Sequence, residues 1–413
     1  MIKKENDKIL NFAPDFLWGT ATSAHQIEGD NFNSDWWAFE ENKELKHASL
    51  KACNSYELWK KDHSCIDQMN NNAYRLSIEW AKIEPQEGKF NHDAMHHYVE
   101  MISDLKAKNI KVMLTLHHFT NPNWFLNKGG WVSFKSVKYF KRYVKYVLEH
   151  LGGLVDFWIT INEPGIYADL SYLKGKWPPK LKSPKKAFLV YINMARAHKM
   201  AYNLIHKTLE DPQVGFAMNV HSFASYHKHR LIELLYVHLA DRFVNHSFYD
   251  LTKKKHDFLG INYYFRVRLK KDEGSMKPVV EKIKETEREL SDLGWMIYPH
   301  GIFDVLMDLE DFKTPIYITE NGIAAQDDEK RQRFLIEHLK EIHHAIQAGV
   351  DVRGYFHWSL LDNFEWADGF DPKFGLVEVN LKTFERKLKT SAKMYSEIAK
   401  TNSLDERKLK SIT

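Results

Sequence analysis

The chain has 413 residues, 44% hydrophobic and 28% charged, with a formal net charge of +4. That composition is globular rather than disordered, and so small a charge over so large a surface gives no reason to expect a nucleic-acid partner. No run approaches about 18 uninterrupted apolar residues, which argues against a transmembrane helix and a membrane partner. Residues 1–7 lead into no apolar signal-type segment, so a cytoplasmic location is expected. Cys53 and Cys65, the only cysteines, are expected as free thiols. Aromatic residues reach 14%, with 12 Trp; they serve either a large core or stacking on flat ligands such as sugar rings, and composition leaves both open.

In chain order, eight apolar runs read as strands: residues 16–24, 73–80, 111–118, 157–163, 214–220, 258–264, 315–320 and 352–359. Between them, residues 93–108, 136–151, 185–209 and 328–348 carry apolar side chains at three- and four-residue spacing and read as helices. Alternating strand and helix implies parallel pairing with right-handed crossovers. Eight such units point to an α/β fold, a closed (β/α)8 TIM barrel in one domain spanning the chain. An open doubly wound sheet is the competing architecture, but the first strand is followed by Ser23-Ala24-His25-Gln26-Ile27-Glu28-Gly29 and not by a glycine-rich phosphate turn. No linker or low-complexity tract interrupts the pattern. Residues 1–9 and the tail from about 401 read as accessory, and the charged stretch 270–289 reads as a loop over the barrel mouth.

The fourth strand ends in Thr160-Ile161-Asn162-Glu163-Pro164 and the seventh in Ile318-Thr319-Glu320-Asn321-Gly322, where Gly322 is expected to supply a turn. Pro164 cannot donate to a sheet ladder, so the fourth strand must stop beside it. Each strand therefore delivers a glutamate to its C-terminal end, the face on which barrels carry their sites. A buried carboxylate must be paired, hydrogen-bonded or protonated. The remaining strand ends contribute Gln26, Arg75, His118, Asn162, Asn262 with Tyr264, and Trp358, followed by Glu365-Trp366. Amides, an imidazole and carboxylates match sugar hydroxyls, and the indoles can cover a ring face.

Cleaving an acetal requires a proton on the leaving oxygen and support for oxocarbenium-like charge. One carboxylic acid must stay protonated near neutral pH, and the other must be ionised. Arg75 is the natural group to hold a carboxylate ionised, so Glu320 is assigned as nucleophile and Glu163 as acid/base. The Glu163 pKa is expected to fall once Glu320 is esterified and its charge is gone.

The stretches 16–29 (FLWGTATSAHQIEG), 74–80 (YRLSIEW), 160–164 (TINEP), 258–264 (FLGINYY), 318–322 (ITENG) and 358–366 (WSLLDNFEW) carry a resemblance. From about residue 12 to 399 the chain resembles glycoside hydrolase family 1, the β-glucosidase and β-galactosidase family. The resemblance implies Glu163 as acid/base and Glu320 as nucleophile of a retaining β-glycosidase acting from the non-reducing end, with a small-molecule β-glycoside as substrate and no cofactor or metal. It further implies that Gln26, His118, Asn162, Trp358, Glu365 and Trp366 line the terminal sugar site. Asn262 and Tyr264 would hold the nucleophile and sugar ring, and Trp295 would sit towards the leaving group. Phospho-glycosidases of the family lack a glutamate at the Glu365 position. A carboxylate there repels a phosphoryl dianion, so unphosphorylated glucosides, galactosides or fucosides are expected.

The chain departs from the family pattern at several points. Many relatives have Tyr-His-Trp-Asp where this chain has His117-His118-Phe119-Thr120, and Phe119 lacks the indole N–H. The segment between the fifth and sixth strands is shorter than in most relatives, and Met296 and His300 stand where acidic residues are common. The aglycone preference therefore stays open. Two other classes are weighed. A carbohydrate-binding protein without turnover, or a transglycosylating relative, would share the fold. A metallohydrolase would need clustered ligands, but His96-His97, His117-His118 and His343-His344 are adjacent pairs whose side chains point apart. Glu28 and Glu79, also near strand ends, are read as structural.

Overall fold

The computed structural model describes residues 9–42, 45–281, 288–405 and 407. Eight strands form the barrel: β1 Leu17–Ala21, β2 Ala73–Ser77, β3 Lys111–Thr115, β4 Phe157–Asn162, β5 Gln213–Ser225, β6 Leu259–Lys271, β7 Ile316–Asn321 and β8 Val352–Trp358. Each pairs in parallel with its sequence neighbours, and β8 pairs with β1 to close the ring. All eight expected strands are present, and the doubly wound alternative is excluded by that closure.

Side-chain parity shows how the sequence builds the barrel. Tyr74, Val112, Leu114, Trp158, Phe216, Ile316 and Ile318 belong to the large apolar layer between strands and helices. Their neighbours Ala73, Met113, Ile159, Ala217 and Tyr317 join a separate cluster with Ala21 and Phe356, which fills the barrel interior. This is the period-2 alternation of a pleated strand buried on both faces. The expected helices appear as His92–Ala107, Ser136–Leu151, Pro184–Thr208 and Asp328–Gln347. No helix among the described residues is long and apolar enough to cross a membrane.

Three local expectations change. β5 and β6 run on well past residues 220 and 264: after a register shift they stay paired from Ser222↔Arg266 to Ser225↔Leu269. The strand Pro278–Val280 then pairs antiparallel with β6. The residues of this arm are largely polar or half-buried and show no apolar periodicity. Residues 270–271 and 278–280 of the expected mouth loop are thus strand, and 282–287 lie outside the described residues. The second change is at the C-terminal end. Ser403–Leu404 pairs with Leu10–Asn11, and the Asn402 side chain accepts from Trp18 Nε1 at 2.9 Å and donates to the Ala13 carbonyl at 2.9 Å. Residues 401–404 are therefore pinned to the barrel; positions 1–8, 406 and 408–413 lie outside the described residues. Third, Gly322 adopts no left-handed φ. A Cβ there would lie 1.7 Å from the Trp358 carbonyl oxygen, so close approach, and not a turn, demands glycine.

Candidate active site

The strand ends converge on a cavity of about 300 Å3 at the C-terminal face of the barrel. Glu163 and Glu320 both line it, with His118, Asn162, Tyr264, Trp295, Trp358, Glu365 and Trp366. Arg75, Asn262 and Gln26 are fully buried and lie behind this lining.

Glu320 ends β7. Its Oε1 accepts from Arg75 Nη1 at 2.5 Å and its Oε2 from the Tyr264 hydroxyl at 2.6 Å. Arg75 is itself fixed: Nη1 also donates to the Thr319 carbonyl at 2.9 Å, and Nη2 donates to Asn162 Oδ1 at 2.7 Å. Burial pushes the Glu320 carboxyl above its ordinary range, and the guanidinium and phenol oppose that push.

Glu163 follows β4 at φ 42°, ψ 60°, a left-handed conformation uncommon for a residue with a side chain. Its backbone N–H donates to the Ala217 carbonyl at 2.8 Å, and Pro164 opens the helix Pro164–Ala168 directly behind it. The carboxyl Oε1 accepts from Asn262 Nδ2 at 2.8 Å and from Asn219 Nδ2 at 3.2 Å. Both partners are neutral amides. Burial, and then the charge of Glu320, push the Glu163 carboxyl up to about 8. One cavity therefore holds two carboxyls in unlike settings: the Arg75 guanidinium is bonded to Glu320, and Glu163 has the more strongly raised carboxyl, with amides as its side-chain partners.

A second layer keeps these groups in place. Thr319 Oγ1 donates to Asn262 Oδ1 at 2.7 Å, which leaves the Asn262 amide N–H for Glu163. Asn162 Nδ2 donates to His118 Nε2 at 3.2 Å, and burial followed by the nearby Arg75 charge holds His118 well below the usual imidazole range, hence neutral. The His118 ring lies nearly parallel to Trp358 and Trp366, with centroids 5.9 and 6.1 Å away. Trp295 packs on Phe265 and Tyr264 at the opposite side. Gln26 Nε2 donates to Glu365 Oε2 at 3.2 Å and its Oε1 accepts from Ser23 at 2.6 Å. Burial, then Asp368 and Glu320, push Glu365 up to about 8.

Sequence reading missed Asn219, which bonds Glu163, together with His221, Phe265 and Trp177 on the cavity wall. The signal for Asn219 existed: it lies two residues beyond inward-facing Ala217 on β5, the one strand for which no polar end residue was taken. Glu28 and Glu79 are engaged elsewhere, accepting from the Tyr98 hydroxyl at 2.9 Å and the Thr120 hydroxyl at 2.8 Å. His117 turns away from His118 to bond Asn121 at 3.1 Å. Among the described residues, Asp241, His246 and Asp308 bring possible metal-ligand atoms within 4.8 Å of one another. They lie apart from the catalytic cavity. Hydrogen bonds to Asp241 and Asp308 raise His246 to about 9, which reads as an imidazolium bridging two aspartates.

The model of the family described as glycosyl hydrolase family 1 matches residues 9–253 and 243–404. The chain belongs to glycosyl hydrolase family 1. Among curated relatives, a 1,4-beta-D-glucan glucohydrolase of Thermotoga neapolitana is 32% identical, over 96% of this chain and 99% of that protein. Beta-glucosidase A of Acetivibrio thermocellus is 33% identical, over 95% and 99%. Among solved structures, a beta-glycosidase from Pyrococcus horikoshii superposes with a TM-score of 0.93 at 40% identity, covering 98% of each chain. This family 1 member is a glycoside hydrolase, a retaining β-glycosidase, on a (β/α)8 barrel.

Proposed function

We propose that Glu320 is the nucleophile and Glu163 the acid/base of a double displacement on unphosphorylated β-D-glucosides and related β-galactosides or β-fucosides. The observation that carries this assignment is the unequal pairing of the two carboxyls: Arg75 and Tyr264 on Glu320, amides alone on Glu163. In the first step a Glu320 oxygen bonds the anomeric carbon. The bond to the leaving oxygen breaks, and that oxygen takes the Glu163 proton. Glu163, now ionised and relieved of its neighbour's charge, then removes a proton from water. The water oxygen bonds the anomeric carbon and Glu320 departs as carboxylate. Two inversions leave net retention.

Around the sugar, His118, Asn162 and Glu365 supply hydroxyl partners, and Trp358 and Trp366 supply apolar faces. Gln26 acts through Glu365. Asn262, expected beside the nucleophile, acts on both carboxyls: it donates to Glu163 at 2.8 Å and also favours the ionised form of Glu320. Trp295 stands on the leaving-group side. Curated relatives named beta-glucosidase and beta-galactosidase support the choice of glycone. Relatives bind sugar-like small molecules: a Thermotoga maritima family 1 b-glucosidase, 30% identical, is solved with isofagomine lactam. Glu365 supports the exclusion of phosphorylated sugars: Asp368, Glu320 and Glu163 already raise its carboxyl, and a phosphoryl dianion would add further like charge to that buried cluster. Residues 12–399 are taken as the working unit, and the buried thiols Cys53 and Cys65 support a reducing, cytoplasmic setting.

A panel of nitrophenyl β-glycosides tests the reading. Turnover of the glucoside or galactoside, with a β-configured product seen first by NMR, is expected. Folded protein inert to the whole panel overturns it.

A further inference from the structure

Trp366 lines the catalytic cavity from an unfavourable backbone. Its φ is 50°, in the left-handed region that bulky side chains rarely adopt. Such a conformation persists only where the surrounding groups over-determine it. On the cavity wall the indole meets His118. Behind the wall stands His25, 2% exposed, with its ring 5.6 Å from the indole and within 9° of parallel. Trp36 closes on the same indole at 4.8 Å.

His25 is held more tightly than a packing residue needs to be. Its Nε2 lies 2.9 Å from Glu40 Oε1, and because a carboxylate only accepts, the ring N–H donates. The other Glu40 oxygen accepts from the Ser49 backbone N–H at 2.7 Å and from its hydroxyl at 2.6 Å. His25 Nδ1 accepts from Asn31 Nδ2 at 3.0 Å. Both ring nitrogens are tied, so the plane of the ring is fixed. Trp36 and Glu40 stand four residues apart on the helix Asp35–Glu41, so one helix face supplies a wall for Trp366 and the tether of His25. A buried imidazole–carboxylate pair carries a desolvation cost that an apolar side chain of the same size avoids. Stability is therefore a poor reason for the pair, and orientation a better one. The next residue repeats the contact. The Gln26 carbonyl accepts from the Phe364 N–H at 3.2 Å, and Gln26 Nε2 donates to Glu365 at 3.2 Å. Consecutive residues 25 and 26 thus hold consecutive cavity residues 366 and 365.

We propose that His25 is a positioning residue for the terminal sugar: oriented by Glu40, it fixes the plane of the Trp366 indole on which the sugar ring docks. The proposal rests on the reading of this cavity as a glycosidase sugar site, and adds to it two residues that do not line the cavity.

His25→Phe keeps the ring and its packing and removes both tethers. The sugar meets Trp366 in ground and transition states alike, so KM for nitrophenyl β-glucoside is expected to rise about tenfold, with kcat per active site changed by less than about twofold. The burst from a slow 2-deoxy-2-fluoro glucoside counts active sites and separates misfolding, which lowers the count, from misplacement, which raises KM. Glu40→Gln keeps the size, weakens the tether and is expected to raise KM about threefold; it carries the test if His25→Phe folds poorly. In a Trp366→Leu background, His25→Phe is expected to add less than about twofold. An unchanged KM in both variants overturns the proposal. So does a loss confined to the active-site count, and so does a KM rise of equal size with and without Trp366. Should the parent protein fail to turn over nitrophenyl glucoside, the glycosidase reading fails, and calorimetry with deoxynojirimycin reads the positioning alone: equal binding by parent and His25→Phe, or binding by neither, overturns it.

Discussion

The ends of β7 and β4 carry the same side chain in opposite company. At β7, Glu320 is gripped by a buried guanidinium and a phenol, two donors that favour the ionised form. At β4, Glu163 receives only amide N–H groups, next to a negative neighbour. Burial is nearly equal, 3% exposed against 7%, so burial cannot divide the roles. The difference teaches that the proposed division between acid and nucleophile follows which carboxyl the buried Arg75 guanidinium touches.

The strongest way to break the comparison is Glu320→Ala. It removes the covalent step, and turnover is expected to fall by about 10^4-fold or more. Azide should restore activity with an inverted glycosyl product. Activity near that of the parent protein would move the nucleophile elsewhere. Glu163→Gln comes next. Glycosides with poor leaving groups should lose about 10^2- to 10^4-fold, while the first step on activated aryl glycosides barely changes. Equal losses on both would contradict the acid role.

The third test removes one grip. Tyr264→Phe takes a single hydrogen bond from the Glu320 carboxylate, worth roughly 1.5–3 kcal/mol to a charged group. A ten- to hundredfold fall in kcat is expected, with the acid limb of the pH profile shifted upward. The fourth test concerns stability. Folded Glu163 titrates near 8 against an ordinary carboxyl value of 4.5. Below 4.5 both states are protonated and folding is not penalised. Between 4.5 and 8 only the unfolded state loses its proton, so this group's contribution to stability declines as pH rises, and it levels off above 8. Glu163→Gln should therefore raise Tm at pH 9 and leave it nearly unchanged at pH 4. A gain at both pH values alike would contradict the high pKa.

The smallest effect sharpens the β4 side. Asn219 donates to Glu163 and so favours its ionised form. Asn219→Ala should shift the alkaline limb of kcat/KM upward from about 8 by less than one unit, with under tenfold loss of rate. A downward shift would show that this amide acts otherwise.

Much of the molecule was legible without coordinates. Strand–helix alternation determined the closed barrel, because a strand buried on both faces must be apolar and a crossover helix must be amphipathic. The motif ends determined that Glu163 and Glu320 reach one cavity, because Pro164 stops one strand and Gly322 permits the other to pass the Trp358 carbonyl. Parity along β5 could have given Asn219 as well. Only the tertiary structure decided the rest. That Arg75 touches Glu320 and not Glu163 depends on atoms 245 residues apart meeting at 2.5 Å. The β5–β6 arm arises where strands distant in sequence pair beyond the barrel register. Periodicity records whether a side chain is buried; it carries no record of what lies on the other side.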